Sequence, residues 1–327
     1  MVVRNGSNSN DQLFGSANND LISGLAGNDS IWSFGGSDTV YGGAGDDKIY
    51  DDLPGENTLG EPVYVGDAGD DELNGDDGND LIFCGGGNDT LLGGNGKDTL
   101  DAGSGNDLLM GGAHNDILIG GSGHDTLSGG AGDDYLDGDL SGKTAGGNDV
   151  LFGNDGDDTL IGYDGNDELY GSEGKDKLYG EEDNDILYGG SNNDTLDGGF
   201  GNDLLHGDSG DDLLNGGAGN DQLNGGDGRD VLAFTVSRRG TAFGNDFILG
   251  FEKGRDRIKI ETDKVLPFRV LDSNRNGRLD NADTYIQQQN GIFGATTSID
   301  VGKALRFTGT STITVFGPVS LTIEDFV

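Results

Sequence analysis

Along most of this chain one aliphatic side chain recurs every nine residues, two positions after an aspartate and amid glycines. The stretch GGSGHDTLSGGAGDDYLDGD, residues 120 to 139, shows two such periods. A helix would bury residues three and four apart, and nothing here keeps that spacing. The local pattern is polar, apolar, polar, as in Thr126, Leu127 and Ser128, which reads as a short strand with one side chain turned inward. Written as GGxGxDxUx, with U aliphatic, the unit fits without gaps from Gly6 to Tyr50, from Gly66 to Asp137 and from Thr144 to Ala233, giving 5, 8 and 10 units, 23 in all. Two interruptions, residues 51 to 65 and 138 to 143, read as loops bulging from a continuous array, and neither carries a recognisable motif.

Position six is aspartate in every unit: Asp11, Asp20, Asp29, Asp38 and Asp47; then Asp71, Asp80, Asp89, Asp98, Asp107, Asp116, Asp125 and Asp134; then Asp149, Asp158, Asp167, Asp176, Asp185, Asp194, Asp203, Asp212, Asp221 and Asp230. Position four is glycine except at Ser9, Asn18, His114, Asp183 and Asn192. Four of those five are residue types that tolerate a left-handed backbone, so the turn is expected to demand positive φ there.

Composition sharpens the problem. With 32% hydrophobic residues and 65 glycines in 327, the chain cannot build ordinary cores, and a net charge of −41 normally accompanies disorder. The excess of 60 acidic over 19 basic residues excludes nucleic acid and anionic membrane as main partners and makes cations the natural ones.

The nonapeptide resembles the calcium-binding repeat of the RTX (repeats-in-toxin) family, hemolysin-type proteins exported by type I secretion. The resemblance implies an all-β fold, a parallel β-roll (a right-handed β-helix) with a C-terminal β-rich cap. Each unit then forms a six-residue turn and a three-residue strand, two units make one coil, and Ca2+ lies between stacked turns. Aspartates 18 apart share an edge, Asp89, Asp107 and Asp125 on one and Asp98, Asp116 and Asp134 on the other. Coils lie about 4.8 Å apart. Like charges at that range repel by roughly 1 kcal/mol in water and several times more near protein. Summed over the array, this exceeds the ~5–15 kcal/mol that stabilises a typical domain, so the metal-free roll should not fold. Glycine carbonyls supply further hard oxygens, a set that suits Ca2+ better than Mg2+. About 17 to 21 ions would bring the charge of −41 close to zero, which makes metal binding part of the folding free energy.

Residues 234 to 327 are a different material. Twelve basic residues there oppose eleven acidic ones, whereas residues 1 to 233 carry seven against 49. We therefore place the roll at 1–233 and a capping and secretion-signal region at 234–327. GNDFILGFEKGRDRIKI, residues 244 to 260, resembles the segment that closes RTX rolls. KALRF and STITVFGPVSLTIEDFV alternate as short strands. The final Asp325, Phe326 and Val327 are similar to the end of type I secretion signals. DSNRNGRLDNAD sets Asp272, Asn274, Asn276, Asp280 and Asp283 at positions 1, 3, 5, 9 and 12 of an EF-hand-like loop, with Gly277 at the sharp turn and the Arg278 carbonyl as a further ligand. Aspartate replaces the usual glutamate at position 12, and the loop resembles dockerin loops more than sensor EF-hands. A polar turn is the alternative.

Catalytic signatures are missing. His114, His124 and His206 fall at turn and surface positions, and Cys84 stands in for a small residue at position one with no histidine placed to activate it. One cysteine allows no internal disulfide. Phe14, Trp32 and Tyr50 are 18 apart and should stack, as should Tyr170 and Tyr188; cell-surface polysaccharide is a candidate partner for such ladders. Ice binding would need a threonine array, and position three has no threonine. The N-terminal MVVRNGSNSN lacks an apolar run, so export is expected to be led from the C-terminal region by type I secretion machinery. The sequence therefore reads as a secreted, extracellular or surface calcium-binding β-roll protein without enzymatic activity. The alternative is a repeat module, or shortened relative, of a larger RTX protease, lipase or alginate-modifying enzyme.

Overall fold

The computed structural model describes residues 1–51, 55–56, 62–63, 69–139, 146–235, 244–252, 255–261, 286–291, 294–300 and 312–316. The chain divides into two units, Met1–Glu168 and Leu169–Val327. Among the described residues every regular element is a strand.

In the first unit, successive nonapeptides alternate between two parallel sheets. Thr90–Asn95 pairs with Leu108–Ala113 in one, and Leu81–Gly86 pairs with Thr99–Ser104 in the other. Each step is one coil of two units, as the 18-residue periodicity requires. Among the described residues, the aliphatic residue at position eight fills the space between the sheets. Ile22, Ile31, Leu91, Leu100, Leu109 and Leu118 are 0% exposed. The core is thus a double file of leucines and isoleucines, one per nine residues.

The strands are longer than expected. Thr90–Asn95 covers positions seven to nine and then one to three of the following unit, with Gly93 skipped in the pairing register. Glycine at positions one and two lets the backbone of the turn continue the ladder, so the three-residue strand becomes six residues in most coils.

Both interruptions leave the stacking intact. Thr39–Ala44 pairs directly with Glu72–Asp77 and Thr126–Ala131 with Val150–Asp155, so the strands on either side of each interruption keep the same register. Within the first, Gly55–Glu56 and Pro62–Val63 form a short antiparallel pair.

The second unit repeats the plan, with Lys177–Glu182 against Thr195–Phe200 and Ile186–Ser191 against Leu204–Ser209. Its register continues past the composition boundary. Asn245–Leu249 pairs in parallel with Gln222–Asn224, and Arg257–Glu261 with Val231–Thr235. Thr312–Phe316 adds to the edge of Asn245–Leu249, and Gly294–Asp300 and Ile286–Gly291 follow in antiparallel order. KALRF and the EF-hand-like loop from Asp272 to Asp283 lie outside the described residues.

Candidate metal centre

Most turns are built by two left-handed residues, but in the first two units Ser9 and Asn18, expected to be left-handed, are not. At position four Gly96, Gly105 and Gly219 have φ of 146°, 148° and 151°, and the non-glycine residues His114, Asp183 and Asn192 take 83°, 71° and 77°. A Cβ on Gly96 would sit 1.4 Å from the carbonyl oxygen of Gly78 in the preceding coil, so glycine is required by space as well as by dihedral. Position two is also left-handed, even where it carries Leu25, Phe34 or Tyr163. Sequence reasoning missed this, because side chains at position two point outward and tolerate many types.

Past Asp11, which is half-buried, the position-six aspartates are buried where the turn closes: Asp29, Asp98, Asp116 and Asp185 are 1% exposed, Asp221 and Asp230 0%. Each carboxylate performs one identifiable task. Past the first coil its Oδ1 accepts the backbone N–H of the aspartate one coil earlier, as from Asp29 to Asp47 at 2.7 Å, from Asp80 to Asp98 at 2.8 Å and from Asp89 to Asp107 at 2.7 Å, while Asp20 Oδ1 accepts the Val2 N–H. The two expected edges are real. One column runs Asp11, Asp29, Asp47, Asp80, Asp98, Asp116, Asp134, Asp158; the other runs Asp20, Asp38, Asp71, Asp89, Asp107, Asp125, Asp149, Asp167. In the second unit Asp176, Asp194, Asp212 and Asp230 form one column and Asp185, Asp203 and Asp221 the other.

Neighbouring carboxylates are therefore tied through backbone amides, where sequence reasoning had them facing one another across a gap. Their Oδ2 atoms have a different surrounding. Those of Asp29, Asp47, Asp98, Asp116, Asp194 and Asp221 are buried without a hydrogen-bond partner. Each points toward the glycine five residues earlier. A Cβ on Gly93 would lie 2.5 Å from Asp98 Oδ2 and 2.6 Å from the Gly111 carbonyl oxygen, so carboxylate and carbonyl oxygens of adjacent coils converge on one small space.

Burial is the largest cause of the electrostatic cost, with neighbouring carboxylates adding to it. Desolvation pushes Asp149 from the usual 3.8 up to about 9, Asp194 to about 8 and Asp107 and Asp212 to about 7, against the lowering effect of the amide each accepts. Buried acceptor-only oxygens, unsatisfied and mutually repelling, fit a hard divalent cation such as Ca2+. Among the described residues the N-terminal ammonium approaches Asp20 Oδ1 at 3.9 Å, while Arg229 meets Asp211 and Arg255 meets Glu252 on the exposed surface, away from position six.

The first two expected ligands, and Asp71, whose Oδ2 accepts the Cys84 thiol at 3.9 Å, differ from most of the rest. Asp11 Oδ2 accepts the Ser7 N–H and hydroxyl, and Asp20 Oδ2 accepts the Ser16 hydroxyl, so serines satisfy what stays open further along. Conversely, the columns recruit two aspartates that repeat counting passed over. Asp246 Oδ1 accepts the Asp221 N–H at 3.1 Å and Asp256 Oδ1 the Asp230 N–H at 3.3 Å. The signal was present in GNDFIL and GRDRIK, which match positions four to nine of the unit. Asp272, Asn274, Asn276, Arg278, Asp280 and Asp283 lie outside the described residues.

A second ladder, also unforeseen, runs along position five in the opposite sense. The N–H of Asn106 donates to Asn88 Oδ1, that of His124 to Asn106 Oδ1, and that of Asn148 to His124 Nδ1 at 2.7 Å. Aromatic stacking follows the expected 18-residue spacing and extends it. Phe14, Trp32, Tyr50 and Phe83 stack at 4.8, 5.8 and 5.9 Å, and Tyr170, Tyr188 and His206 at 5.1 and 5.0 Å. Cys84 is buried, and desolvation with nearby Asp89 and Asp71 pushes its thiol well above the ordinary value.

The chain matches the model of the RTX calcium-binding nonapeptide repeat in overlapping stretches spanning residues 5–49, 63–140 and 144–232. A search of curated proteins finds no match. Among solved structures it is similar to a subunit of the Azotobacter vinelandii mannuronan C5-epimerase, at 28% identity over 45% of this chain and 78% of that one, TM-score 0.32. A hyperactive, Ca2+-dependent, β-helical antifreeze protein from an Antarctic bacterium aligns at 22% identity over 81% and 88%, TM-score 0.40. The extracellular lipase LipA of Serratia marcescens aligns at 16% over 92% of this chain and 45% of its own, TM-score 0.23.

Proposed function

The chain belongs to the RTX calcium-binding nonapeptide-repeat family, and from that premise we propose a secreted, non-enzymatic protein whose folding is switched on by extracellular Ca2+. The observation that carries this reading is the run of buried carboxylates whose second oxygen has no partner, Asp29, Asp47, Asp98 and Asp116 among them. Each unsatisfied buried acceptor costs about 1–3 kcal/mol, more when charged. Without a counter-charge these costs exceed the ~5–15 kcal/mol by which a typical domain is stable. The aspartates at position six would hold the ions together with carbonyl oxygens of the turns. Bound Ca2+ supplies the positive charge that makes the same oxygens stabilising, and a site that needs two adjacent coils couples binding to folding. The first two aspartates, with serine partners, hold their turns with less help from metal. The EF-hand-like loop at 272–283 is part of this reading as a separate calcium site.

Calcium is scarce inside cells and abundant outside, so such a chain stays extended until export and folds on arrival. Type I secretion through the C-terminal region suits that order. The absence of enzymatic activity is supported by how the reactive side chains are used. His206 is stacked on Tyr188, His124 serves the position-five ladder, and the Cys84 thiol is held protonated in the interior. Cell-surface polysaccharide would meet the aromatic ladders at ring edges, since their faces cover one another.

Far-UV circular dichroism during a calcium titration of the full chain tests the reading. The spectrum should be largely disordered in EDTA and gain β structure cooperatively at sub-millimolar to millimolar Ca2+, with Mg2+ failing to replace it. A β-rich spectrum in EDTA would overturn it.

A further inference from the structure

Each interruption of the repeat carries, within its first two residues, an aspartate that belongs to no position-six column. Asp51 opens the first and Asp139 follows Gly138 in the second, and both lie on the edge that carries Asp38, Asp71, Asp125 and Asp149. By repeat position they stand where the unit has glycine or an outward side chain. Yet Asp51 is 1% exposed and Asp139 3%. Leu25, which shares position two with Asp139, is 47% exposed.

Both carboxylates are turned into the column. Oxygens of Asp38, Asp51 and Asp71 all lie within 4.8 Å of one another. Asp139 faces the charges of Asp167, Asp125 and Asp164, and Asp149 feels Asp167, Asp125 and Asp139 together. Neither oxygen of Asp139 has a hydrogen-bond partner. The Gly147 amide approaches it without reaching hydrogen-bond geometry. A Cβ on Gly146 would lie 2.2 Å from Asp139 Oδ2 and 2.3 Å from the Asp164 carbonyl oxygen, so glycine there keeps open a space lined by oxygen. Asp51 Oδ1 accepts the Ser33 hydroxyl at 3.3 Å, whereas packing gives no reason for Asp139: a buried carboxylate with both oxygens unsatisfied is a cost unless a cation meets it.

We propose that the two interruptions are fastened by carboxylate-rich divalent-cation sites, one at Asp139 with the Asp164 carbonyl beside the column of Asp125 and Asp149 and one at Asp51 with Asp38 and Asp71, which take Ca2+ more tightly than the repeat sites. This rests on the calcium reading above. An ordinary turn offers the carboxylates of its own column, and these two turns add one more. Ligand charge count is what tunes calcium affinity over orders of magnitude at similar oxygen geometry. The added charge falls where the chain leaves the roll and must be brought back into register, the step with the largest loop to close.

The test is a calcium titration of the full-length protein against a chromophoric chelator, with D139N and D51N compared with wild type. Asparagine keeps the shape and removes the charge. Wild type should show a minority of ions held about tenfold or more tightly than the majority, and each substitution should remove one ion from that tight class. In EDTA at low pH, where a metal-free fold is favoured, D139N should be about as stable as wild type, because the carboxyl it replaces is already protonated and uncharged there. A merely structural role predicts a loss of stability. Wild-type calcium uptake with a tight class that both variants leave unchanged would overturn this inference while leaving the calcium-driven fold standing. A wild type that takes up no calcium would overturn both. Should D139N fail to fold at any calcium concentration, the D51N chain decides at the other interruption.

Discussion

The position-six aspartate joins two opposed demands in one side chain. Its Oδ1 is a structural acceptor for the amide one coil earlier, and its Oδ2 is left to a cation. The pH dependence follows from that division. These carboxylates are raised by burial in the metal-free fold, to about 9 for Asp149 and Asp246 and about 7 for Asp107 and Asp212. An acid whose pKa is higher folded than unfolded binds more protons in the native state, so the stability it contributes is greatest below about 4 and is lost as pH rises through 7 to 9. In EDTA, therefore, lowering the pH from 8 to 5 should increase β structure. In Ca2+ the same acidification should weaken metal binding, because protons compete for the ligand oxygens. Circular dichroism at both pH values, with and without calcium, checks the crossing signs. Equal EDTA spectra at pH 5 and 8 would contradict the burial of these groups.

At the scale of the element, the coil stands on one inward aliphatic residue and one left-handed glycine per unit. Leu118→Ala should cost about 2–5 kcal/mol, since the neighbouring leucines of the file cannot close the gap. Gly105→Ala should cost a comparable amount for another reason: its Cβ would lie 1.4 Å from the Gly87 carbonyl oxygen at φ 148°. His114→Gly, at the same position in another coil, should stabilise by roughly 1 kcal/mol by removing the left-handed penalty of a side chain. Urea denaturation at fixed calcium measures all three. Much of this was legible beforehand. The nine-residue period named the core, the 18-residue spacing named the stacked aspartates and aromatic rings, and the missing glycines at His114, Asp183 and Asn192 marked the left-handed position. The six-residue strands were not legible, because backbone pairing through Gly93 and Gly94 leaves no side-chain pattern. Asp51 and Asp139 escaped notice because a repeat count discards what lies between blocks, and the path of the chain through an interruption decides whether a carboxylate faces inward.

For the whole molecule, composition divides sharply, with nearly all the negative charge in residues 1 to 233. The near-neutral remainder still supplies Asp246 and Asp256, which accept the amides of Asp221 and Asp230. Truncation after Ala233 should therefore raise the calcium midpoint of folding markedly, by leaving those amides without acceptors and the last strands uncovered. Removing residues 1 to 18 should raise it less, since the carboxylate of Asp29 would lose only a donor that water replaces. Calcium titrations of the two truncated chains give the comparison, and equal shifts would contradict it. The asymmetry follows from the direction of the aspartate ladder, in which each coil receives its acceptors from the coil after it in sequence. A folded coil is thus a template for the segment upstream, and each unit has a growing tip that faces the N-terminus. For a chain delivered to calcium with its C-terminal end leading, the template arrives before the segment it shapes. Every coil that sets would then bar retreat and convert thermal motion through a narrow passage into one-way travel.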